Sequence, residues 1–545
     1  MFDLKGLIQN WFTRKGKNPA EDFRSATIWV QQLPQADRQE ALEDIIHMLQ
    51  DTQQGENHIR ERAKALLYID DKAHGIHAQL RREYLSTLDQ PKAEEKLFLP
   101  TILAYQEDMA DAFQNIIKGY VEEPDKKLAE MIPLITARAL HYYAQQIQWS
   151  YLRYLPGETM VWRYLQRLYL FAEREGFALN AFKLHPDARL ETTCTAKFLQ
   201  PQMLHLANPE SLKPDQIALV AVWLENWTHS MLLEQDFRPQ RQLFVVNLGD
   251  GKPARPLRRN MIGEKYRYLA VGTLLMSIDK TLEQLRHGEL PARLKLGEEC
   301  RLPGCADLIE LVAQRWAGKG GTRRHERRAS KHPVEAALGL AEILRHIANH
   351  TDGKKAPPTG QVAQFKIQPL MPDYASTPSD TTLFGAPELF ESNAAQWIVE
   401  NESPDGCCAS FEASGGKLPK IGSLIGLRQE DTKQYAIGVV KRINQSVNSR
   451  TSLGLQIISQ SPILIQLDGM SASGRGIKGV YLPEAAANQA PRTLLIASRY
   501  YQQNKIVALR AQGKAYSIRL RQPLEHNNDF TRSTFDVLAK LAPGN

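Results

Sequence analysis

The apolar residues of this 545-residue chain change their period near Trp316, and that change rules out a fold of one class throughout. Up to Trp316 they recur at spacings of three and four, as in Leu42, Ile45, Ile46 and Leu49, or Val161, Leu165, Leu168 and Ala172. Such sets fall on one face of a helix. Leu128, Ile132, Ile135, Ala139 and Tyr142 make another stripe, Ile217 to Leu233 and Leu275, Ile278, Leu282 and Leu285 continue the pattern, and Gly176 follows the Val161 stripe where a helix can end left-handed. Leu243-Phe244-Val245-Val246, running into Asn247 to Gly251, interrupts it as a small hairpin near 241–256. Beyond Trp316 the runs are short and β-branched: Gln396 to Val399, Ser423 to Leu427, Tyr435 to Ile443, Gly454 to Ile458 and Ile463 to Leu467. That spacing predicts a small antiparallel barrel. The fold class is multidomain α+β: an N-terminal all-α bundle or solenoid-like scaffold over 1–316, then a C-terminal antiparallel β-barrel with an insertion.

Within the second part, Val334 to Leu340 reads as a strand followed by a helix, and 351–385, rich in proline, glycine, serine and threonine, as a flexible insertion. The barrel is expected over 334–470. Thr493 to Ile496, Ile506 to Leu509 and Tyr516 to Leu520 make 471–545 a further β-rich region, completing the barrel or forming a second one, with Phe530 to Leu538 as a closing helix.

No apolar run reaches the 18 or so residues of a spanning helix, and Met1-Phe2-Asp3-Leu4-Lys5 has an acid at once and no cleavable apolar region. The expected location is cytoplasmic. Five cysteines, an odd count, fit a reducing compartment, and Cys300 and Cys305 have no second Cys/His pair at zinc spacing, so no metal is expected. Catalytic signatures fail: Lys319-Gly320-Gly321-Thr322 lacks the strand and the terminal Gly-Lys-Ser/Thr of a phosphate loop, and Glu40-Ala41-Leu42 stands alone without metal-ligand context. The chain reads as no enzyme.

Lysine and arginine exceed aspartate and glutamate by 7, and +5 of that excess falls within 318–331. There Gly318, Gly320 and Gly321 hinge an arm, taken as 317–333, in which Arg323 with Arg327, and Arg324 with Arg328, stand four apart. Two guanidinium groups can converge on phosphate oxygens or a guanine edge. On composition alone the stretch reads first as a solvated linker or as a grip on an RNA backbone.

A second element bears on that choice. Trp397 to Gly406 reads as a strand and a turn in which Asn401 and Ser403 present short polar groups and Gly406 permits a positive φ. An Arg-x-x-x-Arg arm upstream of Asn-x-Ser-x-x-Gly at the end of a barrel strand resembles the PilZ family of bacterial cyclic di-GMP receptors. Ile421 to Leu427, Ile437 to Arg442 and Leu453 to Ile457 look like later strands of that family's barrel. The resemblance implies a PilZ-like barrel in which Arg323 and Arg327 wrap the dinucleotide and Asn401, Ser403 and Gly406 contact a guanine; Arg324 and Arg328 form the alternative frame. Cys407 and Cys408 fall on the next strand as small packing residues. The implied function is a non-enzymatic receptor without cofactor, whose ligand is cyclic di-GMP and whose helical region meets a protein partner. The alternatives are a degenerate PilZ scaffold binding protein alone and a basic RNA-binding protein, the latter disfavoured because aromatic stacking motifs are missing around the arm.

Overall fold

The computed structural model describes residues 18–34, 37–51, 59–87, 93–297, 299–301, 304–320, 325–351, 395–412, 418–429, 435–446, 450–470, 476–484 and 491–541. The chain divides into two compact units, 1–321 and 322–545. The expected insertion over 351–385 lies, from 352 onward, outside the described residues.

The first unit is built on helices α1 (Phe23–Val30), α2 (Arg38–Gln50), α3 (Ile59–Ser86), α4 (Ala93–Glu122), α5 (Lys126–Ala129), α6 (Ile132–Leu152), α7 (Thr159–Arg174), α8 (Cys194–Leu206), α9 (Pro214–Trp227), α10 (Gly272–Arg286) and α11 (Cys305–Trp316). Polar caps start them where the sequence offers one: Asp22 accepts from the Ser25 amide, Asp37 from those of Gln39 and Glu40, Asp125 from Leu128 and Thr193 from Ala196. Gly176, at φ +78°, follows the end of α7. Trp149, Trp162, Trp223 and Trp316 are all fully buried, and the indoles of Trp223 and Trp316 donate to the carbonyls of Leu296 and Met203. At the centre lies a charge. Asp70 is fully buried, accepts from Arg138 at 2.9 Å and from Tyr142, and stands 3.2 Å from His185 Nε2. Burial opposes its ionisation, yet Arg138, then His185 and Tyr142, outweigh that and hold its pKa at about 2.

Four expectations for this unit need correction. The hairpin near 241–256 is part of a four-stranded antiparallel sheet, in the order β3 (Leu232–Glu234), β6 (Tyr266–Ala270), β4 (Phe244–Asn247), β5 (Arg255–Pro256). The helix expected over Ile217 to Leu233 ends at Trp227, because Leu232 and Leu233 pair with β6. The stripe from Leu128 to Tyr142 is broken between α5 and α6, where Pro133 sits in a first turn. Cys300 and Cys305, weighed in sequence as metal ligands and counted among five cysteines fitting a reducing compartment, are joined by a disulfide, which that count did not foresee. A two-residue pair, β1 (Phe182–Lys183) with β2 (Glu191–Thr192), completes the unit.

The second unit holds two closed six-stranded barrels. The first is formed by β7 (Arg328–Leu338), β8 (Ala395–Ser403), β9 (Gly406–Glu412), β10 (Leu424–Arg428), β11 (Tyr435–Gln445) and β12 (Arg450–Ser459), in the order β10-β11-β12-β9-β8-β7. It starts before Val334 and ends before residue 470. Ile463–Asp468, expected in this barrel, is β13 and opens the second, with β14 (Ile477–Leu482), β15 (Thr493–Ala497), β16 (Ile506–Ala511), β17 (Lys514–His526) and β18 (Phe530–Leu541). The closing helix at Phe530 to Leu538 is strand β18: Ser533, Phe535 and Val537 are buried in alternation, a period of two that the bulky residues at 535 and 537 made legible only once the strand was paired.

Helix α12 (Gly339–Thr351) joins the two barrels into one body. Gly339, at φ +79°, turns the chain out of β7, and the N–H of Leu340, in the first turn of α12, donates to Asp529 Oδ2 at 3.0 Å. Leu340 and Ile343 are buried in one cluster with Leu424, Ile437 and Val439 of the first barrel and with Val480, Leu482, Leu495 and Phe530 of the second.

Candidate functional site

Antiparallel register decides which side chains share a face of the first barrel. Leu453 and Leu455 of β12 are buried opposite Ala409 and Cys407 of β9, so these point inward. Their neighbours in sequence point outward, and the pairings carry one continuous row across the outer surface: Ala329 opposite Asn401, Asn401 opposite Cys408, Cys408 opposite Gly454, Gly454 opposite Arg442. The adjacent row, toward the β8–β9 turn, holds Ser403, Gly406 and Gln456. A bulge between Val399 and Asn401 resets the alternation at Glu400, which places Asn401 and Ser403 on the outer face after Trp397 and Val399 have pointed in.

The arm meets this face. Arg327 Nη1 donates to Asn401 Oδ1 at 2.9 Å across 74 residues of sequence. Ser403 Oγ lies 2.8 Å from Asp405 Oδ1 and 3.1 Å from the Gly406 carbonyl, which ties the turn down, and the Ile457 amide donates to the Asp405 carbonyl at 3.0 Å, which ties the turn to β12. Gly406 has no positive φ, contrary to the expectation from sequence. It is required by space: a Cβ there would stand 2.9 Å from the Leu455 carbonyl oxygen and 3.5 Å from Arg327 Nη2. The missing side chain thus leaves room directly beneath the guanidinium.

Of the residues singled out in sequence, Arg327, Asn401, Ser403 and Gly406 come together here. Arg323 and Arg324 lie outside the described residues. Arg328 does not join them: it is exposed as the first residue of β7 and pairs with Glu402, on the face opposite Asn401. The 327 frame is therefore the one whose second arginine reaches the turn.

Register adds residues that the motifs did not point to. Arg442 projects at the far end of the row, with Gly454 beneath it, where a Cβ would stand 3.1 Å from the Arg442 Cβ. Asn401 and Arg442 stand three strands apart along the row, which therefore curves half-way around the closed six-stranded barrel. Between them the floor is Cys408 and Gly454. Burial pushes the Cys408 thiol up, while the guanidinium groups of Arg327 and Arg442 both pull it down, so both cations lie close to the floor. Inward-facing Cys407 is pushed up to about 12 by burial. Beyond the row, Ser410 and then Arg450 hold the Glu400 carboxylate low, which keeps that acid engaged at the edge of the face. The signal that could have found Arg442 is a cation and a facing glycine on paired strands, visible only once the register is known.

Three consecutive stretches match domain families. Residues 24–240 match the N-terminal domain of the cyclic-di-GMP receptor FimW, 387–462 its middle PilZ domain, and 464–538 its C-terminal β-barrel domain. Among curated proteins the chain is 21% identical over 526 residues to the cyclic-di-GMP receptor FimW of Pseudomonas aeruginosa, covering 89% of this chain and 86% of that protein. No solved structure is significantly similar.

Proposed function

The chain belongs to the PilZ-domain family of cyclic-di-GMP receptors, and from that premise we propose that it is a non-enzymatic receptor whose ligand lies on the outer face of the first barrel. The observation that carries the site is the Arg327–Asn401 hydrogen bond, which brings an arm and a turn 74 residues apart onto one surface. The roles follow from chemistry. Arg327 offers its remaining N–H donors to a phosphate or to the O6/N7 edge of guanine. Asn401, held by Arg327, and Ser403, held by its own turn, present fixed polar groups. Gly406, Cys408 and Gly454 leave a flat floor on which a base plane can lie. Arg442, whose guanidinium acts on Cys408, supplies a further cation beyond Gly454. Arg323 is assigned as the partner of Arg327 on its position in the Arg-x-x-x-Arg arm.

The arm is also the covalent path from the helical unit to the barrels. A ligand that holds it restricts that path, and its effect is limited to its differential affinity for the arrangements the path allows. The helical unit is assigned to a protein partner, and the receptor to the cytosol, the compartment of its nucleotide ligand. No described helix is long and apolar enough to cross a membrane.

Calorimetric titration of the full chain with cyclic di-GMP tests the reading. Saturable binding that weakens in Arg327→Ala and Ser403→Ala is expected. Absence of binding at tens of micromolar would instead leave a scaffold for proteins, and a steep salt dependence without preference for the cyclic dinucleotide would indicate RNA.

A further inference from the structure

The helical unit contains a second polar site, remote in sequence from the barrel. Helices α3, α6, α8 and α9 enclose a cavity of about 90 Å³ that opens past Val222 and Glu225. Most cavities between helices of a bundle are lined by apolar side chains. In this one half of the lining is polar, Arg81, His141, Gln145, Gln148, Gln200 and Glu225, and the other half apolar. Three of its side chains, on three different helices, carry a buried polar atom with no partner: Arg81 Nε, Gln145 Oε1 and Gln200 Nε2. Other buried polar atoms of the chain also lack a partner, but these three converge on one cavity, where a single polar occupant would satisfy them together.

The chemistry of that occupant is set by what faces it. Arg81 lines the cavity and Lys197, which does not, stands behind the lining residue Gln200; among the described residues neither cation forms an ion pair. Arg81 reaches Gln148 Oε1 at 3.5 Å and Lys197 Nζ reaches Gln200 Oε1 at 3.5 Å, both long contacts to neutral amides. Lys197 is only 5% exposed and burial lowers its pKa, so an anion beside it favours its charged form. Glu225 is the acid that acts on both, and it sits exposed at the mouth, one negative charge against two positive ones. The surplus is positive. His141 does not add to it, since burial and then Lys197 push its pKa well below the ordinary value and leave it neutral. The Gln145 amide nitrogen is taken by His141 Nε2 at 2.6 Å, which leaves Gln145 Oε1 as an acceptor in the wall. The site therefore presents two donors beside unpaired positive charge, together with an acceptor that needs a hydroxyl.

We propose that this cavity binds a small protonated oxyanion, hydrogen phosphate in the simplest case, with its anionic oxygens on Arg81 and Gln200 beside Lys197 and its hydroxyl donating to Gln145. The same chemistry could be delivered by the free ion or by the phosphoryl end of a phosphomonoester. The cavity is too small for a cyclic dinucleotide, so the site is independent of the barrel reading.

The test uses the full chain in phosphate-free buffer, comparing inorganic phosphate with chloride at matched ionic strength. A site of millimolar affinity raises the melting temperature of the helical unit by roughly 2 °C at about 10 mM phosphate. Lys197→Met keeps the aliphatic stem and removes the charge. It should abolish the phosphate response while leaving the ligand-free transition unchanged or raised, and Arg81→Gln should weaken the response at least about tenfold in concentration. Line broadening in the phosphorus spectrum of phosphate with the wild-type chain gives a readout that needs no variant. Glycerol 3-phosphate in place of phosphate distinguishes the two sources: an equal response points to a phosphoryl group, a response to phosphate alone to the free ion. If wild type responds no more to phosphate than to chloride and the phosphorus line stays sharp, or if Lys197→Met keeps the full response, the proposal is wrong.

Discussion

Removing Arg327 is the sharpest test of the barrel site, because the residue does two separable things. One N–H holds Asn401 at 2.9 Å, and the other donors remain for a ligand. The side chain is only partly buried, so its tie to Asn401 is a solvent-accessible hydrogen bond worth about 0.5–1.5 kcal/mol to the folded barrel. Toward an anionic ligand the same group makes charge-assisted bonds of about 1.5–3 kcal/mol. Arg327→Ala should then raise Kd for cyclic di-GMP by about 10- to 150-fold, while the ligand-free melting temperature falls by only a few degrees. Arg327→Lys separates charge from fork: it keeps the cation but cannot hold Asn401 and grip the ligand in one plane, so about a tenfold loss is expected. Calorimetry at fixed ionic strength gives the affinities, and thermal unfolding without ligand gives the stability. Binding by Arg327→Ala within twofold of wild type, with the fold intact, would refute the assignment.

Four further outcomes follow from the geometry. Gly406→Ala should push β9 from β12, since its Cβ meets the Leu455 carbonyl at 2.9 Å, costing about 1–3 kcal/mol in thermal unfolding and abolishing ligand binding together. Arg442→Ala should weaken cyclic di-GMP binding about 5- to 10-fold with little change in stability, measured by the same titration. At neutral pH Cys408 should be modified by a maleimide slowly, because burial raises its thiol pKa, and saturating cyclic di-GMP should slow it further while Cys407 stays unreactive; peptide mass spectrometry resolves the two. The Asp70 pKa is depressed to about 2, so the stability it contributes is fully present above the unfolded carboxyl value near 4 and is lost as pH falls toward 2. The expected loss is roughly 2–3 kcal/mol, and Asp70→Asn should remove that slope from an acid titration of unfolding free energy.

The strands of the barrels were legible where β-branched residues ran together, as at Tyr435 to Ile443, and the helices where one face was apolar, as in α2 and α7. Elements whose identity depends on a distant partner were not. Leu232 and Leu233 continued a helical stripe and became an edge strand because β6 offered hydrogen bonds. Phe530 to Leu538 fits a short helix in isolation, but β15 and β17 flank it and take it as a strand. Ile463 to Leu467 carried no mark of belonging to the second barrel, whose closure is set by β13 pairing with β14 and β16. The site divides in the same way. Asn401, Ser403 and Gly406 are close in sequence and form one turn, and their spacing together with the upstream arginine arm carried the resemblance that singled them out. Arg442 and Cys408 join the row of Asn401 only through register.

By itself, then, the sequence determined the order of parts: helices to about Trp316, a cationic arm, and β structure after it, with arginine and a polar turn suited to a nucleotide. Those properties are local, since helix period, β-branching and charge act within a few residues. Only the tertiary structure decided that there are two barrels with α12 between them, that Arg327 and not Arg328 reaches Asn401, and that Gly406 is needed for space and not for a left-handed turn. Each of these depends on which strand lies beside which. Strand pairing is a long-range choice among many segments of similar β propensity, and no short window of sequence contains it.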